Sequence, residues 1–137
     1  MTETNENEVA KHMALLEAYK GQIGMAVEQS QLLQAMINDY MRARVTIEQF
    51  SKNDEDTNVL FPVGGGVFIN ADAKNTGKVL LDVGAGIVME KTVDDATKKI
   101  DERINALRQN LEKLSQTVQK LQDNASEITN KLQGLSE

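Results

Sequence analysis

Cysteine and tryptophan are absent from the 137 residues, proline and histidine occur once each, and aromatic residues make up only 4%. Without cysteine there is no disulfide framework, thiol nucleophile or thiolate metal site, a pattern compatible with a reducing compartment. A single histidine excludes any His-paired metal motif. Two Tyr and three Phe supply little of the buried area that thick cores use, so one elongated domain is expected rather than a globule. No apolar run approaches membrane-spanning length, and the start, Met-Thr-Glu-Thr-Asn-Glu-Asn-Glu, has no signal character. A soluble, cytoplasmic protein is expected. The formal charge of −6, from 21 acidic against 15 basic residues, opposes non-specific adhesion to nucleic acid or an anionic membrane, and neither is expected as a ligand.

What is present divides the chain into parts: an N-terminal periodic helix over 1–50, a polar loop over 51–58, a Gly- and Val-rich β segment over 59–91, and a C-terminal periodic helix over 92–137. In the last part Ile100, Ile104, Leu107, Leu111, Leu114, Val118, Leu121, Ala125, Ile128, Leu132 and Leu135 step by fours and threes through about five heptads. This is a coiled-coil seam with a solvated remainder. Thr92 is placed to cap its start, with Asp94 and Asp95 at the positive end of the helix dipole.

The first helix has the same period with defects. Val9, Leu16, Ile23 and Ile37 share one phase; Tyr19, Ala26, Leu33, Tyr40 and Ile47 share the other. His12, Ser30 and Arg44 occupy seam positions that favour apolar residues, while Leu15, Val27, Leu32, Met36 and Met41 widen the stripe to one side, so this helix is expected to touch more than one neighbour. Asn5 and Glu8 form a candidate capping pair. Met36 and Met41 are assigned to packing, whereas Met13 and Met25 lie in the distal half and suit contact with varied partners.

The β segment contains an internal repeat. Val63-Gly64-Gly65-Gly66-Val67-Phe68-Ile69 aligns with Val83-Gly84-Ala85-Gly86-Ile87-Val88-Met89, each an apolar entry, a Gly-x-Gly turn and an apolar exit. Two β-hairpins are predicted, with strands over 59–63, 67–72, 78–83 and 87–90, joined by a turn at Asn75-Thr76-Gly77. The glycine motifs are not phosphate cradles. Each opens into another strand rather than a helix, and no Gly-Lys-Ser/Thr follows. Asp94 with Asp95, the acidic run Asp54-Glu55-Asp56 and His12 have no identifiable catalytic partner and read as capping or surface residues; no enzyme, metal or cofactor is expected.

The fold class that follows is α+β and mostly α. Two helices of about 43 residues, each about 65 Å long, leave and enter one small β segment. Narrow stripes on them pair only if they lie antiparallel, with Ile47 near Val93 and Val9 near Leu132. About 30 residues of hairpin cannot bury a core, and their free strand edges call for pairing with other subunits. Val63, Gly64, Gly66, Val67, Val83, Gly84, Gly86 and Ile87 are the residues assigned to this shared β body.

A long helix, two Gly-turned hairpins (Leu60 to Ile69, and Val79 to Thr92) and a second long helix resemble the α subunit of prefoldin of the archaeal type. A β-type prefoldin subunit is similar but has a single hairpin. The resemblance implies a hexamer of two α and four prefoldin β subunits, a β-barrel body with six coiled-coil tentacles, ATP-independent capture of unfolded client proteins and their transfer to a group II chaperonin. On that reading the client-contacting residues at the coiled-coil tip are Val9, Met13, Leu15, Leu16 and Tyr19 on the first helix and Ile128, Leu132 and Leu135 on the second. The alternative is a self-assembling filament scaffold of prefoldin-like architecture.

Overall fold

The computed structural model describes residues 3–136. Its elements run α1 (Glu3–Ser51), β1 (Thr57–Gly64), β2 (Val67–Ala73), β3 (Lys78–Gly84), β4 (Ile87–Thr92) and α2 (Val93–Ser136). The strands start and stop within two residues of the sequence expectation. The polar link between α1 and β1 is only 52–56, because Thr57 and Asn58 already pair with Ala73 and Asp72. Asn58 reinforces that pairing, its Nδ2 donating to Asp72 Oδ1 at 3.2 Å. At the other end α1 already includes Asn5, so the expected Asn5–Glu8 capping pair lies inside the helix rather than at its start. Thr92 behaves as expected: the Asp95 amide donates to its Oγ1 at 3.2 Å, capping α2.

Two compact units share the helices. The first comprises residues up to Met36 together with those from Ala106 onward, and the second is Ile37–Asn105. In the first unit α1 and α2 run antiparallel along their seams. Leu16 and Ile23 share a groove with Ala125 and Thr129, and Leu33 shares another with Leu114 and Thr117. Ala26 and Ile128 are buried, and every other seam residue of this unit is at least half-buried, His12 and Ser30 included. Those two polar side chains bond to their own helix. His12 Nδ1–H donates to the Glu8 carbonyl at 2.7 Å and Ser30 Oγ–H to the Ala26 carbonyl at 3.0 Å, which gives each side chain a partner on its own helix without breaking the seam.

In the second unit the core is Ile37, Ala96, Ile100 and Ile104. Arg44 occupies its seam position by ion pairing: Nε lies 2.8 Å from Asp101 Oδ1 and Nη2 lies 3.6 Å from Glu48 Oε1. The Arg103 guanidinium stands 5.9 Å over the Tyr40 ring. In both units these neighbours differ from the expected Ile47–Val93 and Val9–Leu132 levels by about one helical turn. Interdigitating seam residues fix the register, and equal helix lengths do not.

The four strands form two separate antiparallel hairpins, β1–β2 and β3–β4. Each carries a bulge just before its turn, at Val63 between Pro62 and Gly64 and at Val83 between Asp82 and Gly84. The turns Gly65-Gly66 and Ala85-Gly86 have positive φ at both central residues, 59° and 76° in the first, 52° and 74° in the second. This is the type I′ geometry whose twist matches that of the flanking strands. Glycine supplies it without strain, and Ala85 adopts it at a cost.

Candidate functional site

Two surfaces stand out, one on each unit. On the second unit the hairpins leave their apolar side chains uncovered. In β1–β2 only the root is half-buried, at Thr57, Val59, Ala71 and Ala73. Beyond it, Phe61 pairs with Ile69 on one face and Pro62 with Phe68 on the other, and all four are exposed, Phe61 at 57% and Phe68 at 56%. The tongue is therefore apolar on both sides. Hairpin β3–β4 is one-sided by comparison. Val79, Leu81 and Val83 are half-buried, and Leu81, Val83 and Met89 form the floor of a groove rimmed by Lys98, Lys99 and Glu102 of α2. Its outer face carries Leu80, which is 74% exposed, among Lys78, Asp82 and Glu90. Of the residues assigned to the shared β body, Val63, Val67 and Ile87 are exposed, Val83 is half-buried against α2, and Gly64, Gly66, Gly84 and Gly86 shape the turns.

Two polar ties position these hairpins within the second unit. Asn75 Nδ2 donates to the carbonyls of Phe50, Ser51 and Asn53 at the end of α1, and its Oδ1 accepts from the Gly77 amide at 3.1 Å. One amide side chain thus reinforces the end of α1, where the Phe50 carbonyl also accepts from the Asn53 amide at 3.2 Å, and also forms the turn between hairpins. Arg103 donates from Nη2 to the Asp82 carbonyl, while Asp82 Oδ1 accepts from the Gly84 amide at 2.8 Å, fixing the bulge. Sequence reasoning saw Asn75 only as a turn residue and gave no role to Arg103.

The second surface is on the first unit. Met13 is 56% exposed and Leu15 is 41% exposed. Val9, Leu16, Tyr19, Leu132 and Leu135 are half-buried in the seam, and Ile128 is buried at 7%. The structure thus separates the candidate tip residues into two outward side chains, five that share exposure with packing, and one core residue. Met36 and Met41, expected in packing, are exposed at 39% and 43%. Both lie off the seam, Met36 at the end of this unit and Met41 within the second.

Among the described residues no cluster of His, Asp and Glu is arranged to hold a metal ion, and no helix is long and apolar enough to cross a membrane. The profile of the prefoldin subunit family matches residues 19–137. The chain belongs to the prefoldin family. It is similar to the prefoldin α subunit of Methanocorpusculum labreanum, with 27% identity over 130 residues covering 95% of this chain and 88% of that one. The α subunit of Archaeoglobus fulgidus is 31% identical over 107 residues, 78% of each chain, and that of Methanococcoides burtonii 33% identical over 110 residues, 75% of each.

Among solved structures, the filamentous PFD of Methanocaldococcus jannaschii matches with a TM-score of 0.62 at 23% identity, covering 92% of this chain and 98% of that one. The prefoldin β subunit of Thermococcus strain KS-1 gives the same score and identity, covering 92% and 90%. These two likenesses concern the fold: two helices joined through β-hairpins. Family membership gives the chain the role of a chaperone subunit in a non-enzymatic family, with prefoldin-type subunits as its partners.

Proposed function

We propose that this chain is the α-type subunit of an ATP-independent holdase that captures unfolded proteins at the far end of its helix pair. The observation that carries this reading is the outward placement of Met13 and Leu15, 56% and 41% exposed, beside a seam whose last residues are only half-buried. A client chain displays many short apolar stretches, and each contact with one such end is weak. Several ends on one oligomer add their contacts through effective concentration, so capture is tight without a nucleotide. Met13 suits this role because an unbranched thioether adapts to differently shaped partners. The residues assigned to the capture surface remain Val9, Met13, Leu15, Leu16, Tyr19, Leu132 and Leu135, with Ile128 beneath them as packing.

In this reading the hairpins are the assembly surface, joining two copies of this chain with four β-type subunits into a closed cytoplasmic hexamer with a barrel body and coiled-coil arms. Captured clients pass to a group II chaperonin. A second reading, a filament scaffold, draws support from the likeness to a filamentous prefoldin.

One experiment separates the two. The complex is purified from the native host, its mass is measured, and suppression of aggregation of a urea-unfolded enzyme is followed without ATP. A closed complex that suppresses aggregation, and loses that ability when residues 1–19 and 131–137 are removed while its mass stays that of an assembled oligomer, is the expected result. Capture that survives both trims overturns the tip assignment, and an open-ended polymer of this chain alone favours the scaffold.

A further inference from the structure

On α1 of the first unit a second heptad-spaced stripe runs beside the seam. Leu15, Ala18, Met25, Leu32 and Met36 step by threes and fours with Gln22 and Gln29 at the two remaining positions, and no charge falls on the stripe. All seven residues are exposed, Met25 at 73% and Leu32 at 62%. A solvated helix face normally carries charges, as α2 of the same unit does with Arg108, Glu112, Lys120 and Glu127.

The spacing selects the shape of the occupant. A strand presents side chains with a period of two, whereas a 3/4 stripe meshes with another helix bearing the same repeat. The area decides against a permanent partner. The stripe is about 30 Å long and about 10 Å wide, so an occupying helix covers about 600 Å² in total, half of the ~1,200 Å² at which stable interfaces begin. A second copy of this chain is thus a poor occupant, and a transient one fits. Methionine and glutamine, both unbranched and uncharged, suit a face that must accept many sequences.

We propose that this stripe is a docking strip for amphipathic helices that form transiently in incompletely folded proteins, helices whose own apolar stripe is uncharged. The proposal rests on the client-capture reading and gives it a second contact, for helical rather than extended segments, running along the helix pair.

The test uses the assembled complex and a fluorescein-labelled synthetic peptide of 21 residues, with Leu and Ala on one 3/4 stripe and Gln and Lys elsewhere. A composition-matched peptide with alternating apolar residues is the control, and binding is read by fluorescence anisotropy. The helical peptide should bind about tenfold tighter than the control, and Met25→Glu with Leu32→Glu should lose about tenfold in affinity. Met25→Gln with Leu32→Gln, which keeps helix propensity, serves if the charged pair alters the melting curve. Met13→Ser with Leu132→Ser, at the end of the helix pair, should leave peptide affinity unchanged while weakening suppression of aggregation.

Equal binding of both peptides, or wild-type affinity in both stripe variants, overturns the strip and leaves capture at the end of the helix pair standing. A halving of the native mass in the stripe variants also overturns it, because the occupant would then be a second copy. If the tip variant keeps full aggregation suppression while the stripe variants lose peptide binding, the strip stands and the tip assignment falls.

Discussion

Ala85 has a φ of 52° in the turn of the second hairpin, where the first hairpin has Gly65 at 59°. A left-handed alanine costs about 1 kcal/mol relative to a residue that tolerates that region. Ala85→Gly or Ala85→Asn should therefore raise the urea midpoint, by up to about 1 kcal/mol in stability, the gain with glycine trimmed by its greater freedom when unfolded. Asn75 works in the opposite direction. Its amide group serves carbonyls of Phe50, Ser51 and Asn53 as well as the turn at Gly77. Asn75→Ala should cost about 1–2 kcal/mol, and hydrogen exchange should quicken in the last turn of α1 before it does elsewhere. A change confined to the hairpins would show that the clamp on α1 contributes nothing.

At the scale of the element, the seam was legible because it is a local regularity. The positions read from the 3/4 spacing are half-buried or buried on both helices, including His12, Ser30 and Arg44, whose polar atoms bond to carbonyls or carboxylates nearby. The Gly-x-Gly repeat likewise gave both hairpins to within two residues. The level at which one helix meets the other was not legible, since it depends on which knobs interlock over a long sequence separation. Nor was the work of Asn75 and Arg103, whose partners lie 22 to 25 and 21 residues away. Of the candidate tip residues, periodicity put Ile128 on the seam and Met13 off it, but it could not say that Ile128 would be fully buried while Val9, Leu16 and Tyr19 on the same seam are only half-buried.

Gly21 and Gly24 are helical, and a methyl group at either would meet nothing within 4 Å. Gly21→Ala and Gly24→Ala should each raise stability by about 1 kcal/mol, seen as a higher midpoint in circular dichroism. A lower midpoint, or a weaker oligomer, would mean that a neighbouring chain approaches the helix closely at that point.

For the whole molecule the decisive quantity is apolar surface that one chain cannot cover. Two separate two-stranded hairpins are marginal by themselves, and here their strand edges are free while Phe61, Phe68, Leu80 and Val88 are each more than half exposed. In the assembly proposed above, burial of such side chains by partner subunits would stabilise each by about 1.5–3 kcal/mol, enough in sum to make folding of the hairpins and assembly a single event. The two-sided tongue of β1–β2 should matter more than β3–β4, whose inner face already rests on α2. Phe61→Asp with Phe68→Asp, one charge on each face, should therefore dissociate the complex at micromolar concentration, while Leu80→Asp on the mixed outer face of the second hairpin should weaken it less. Native mass spectrometry reads the difference directly. Helix content by circular dichroism should persist in the dissociated chain, because the seam between α1 and α2 lies within one subunit. Complete loss of helix with loss of assembly would instead make the helix pair dependent on the hairpins' partners.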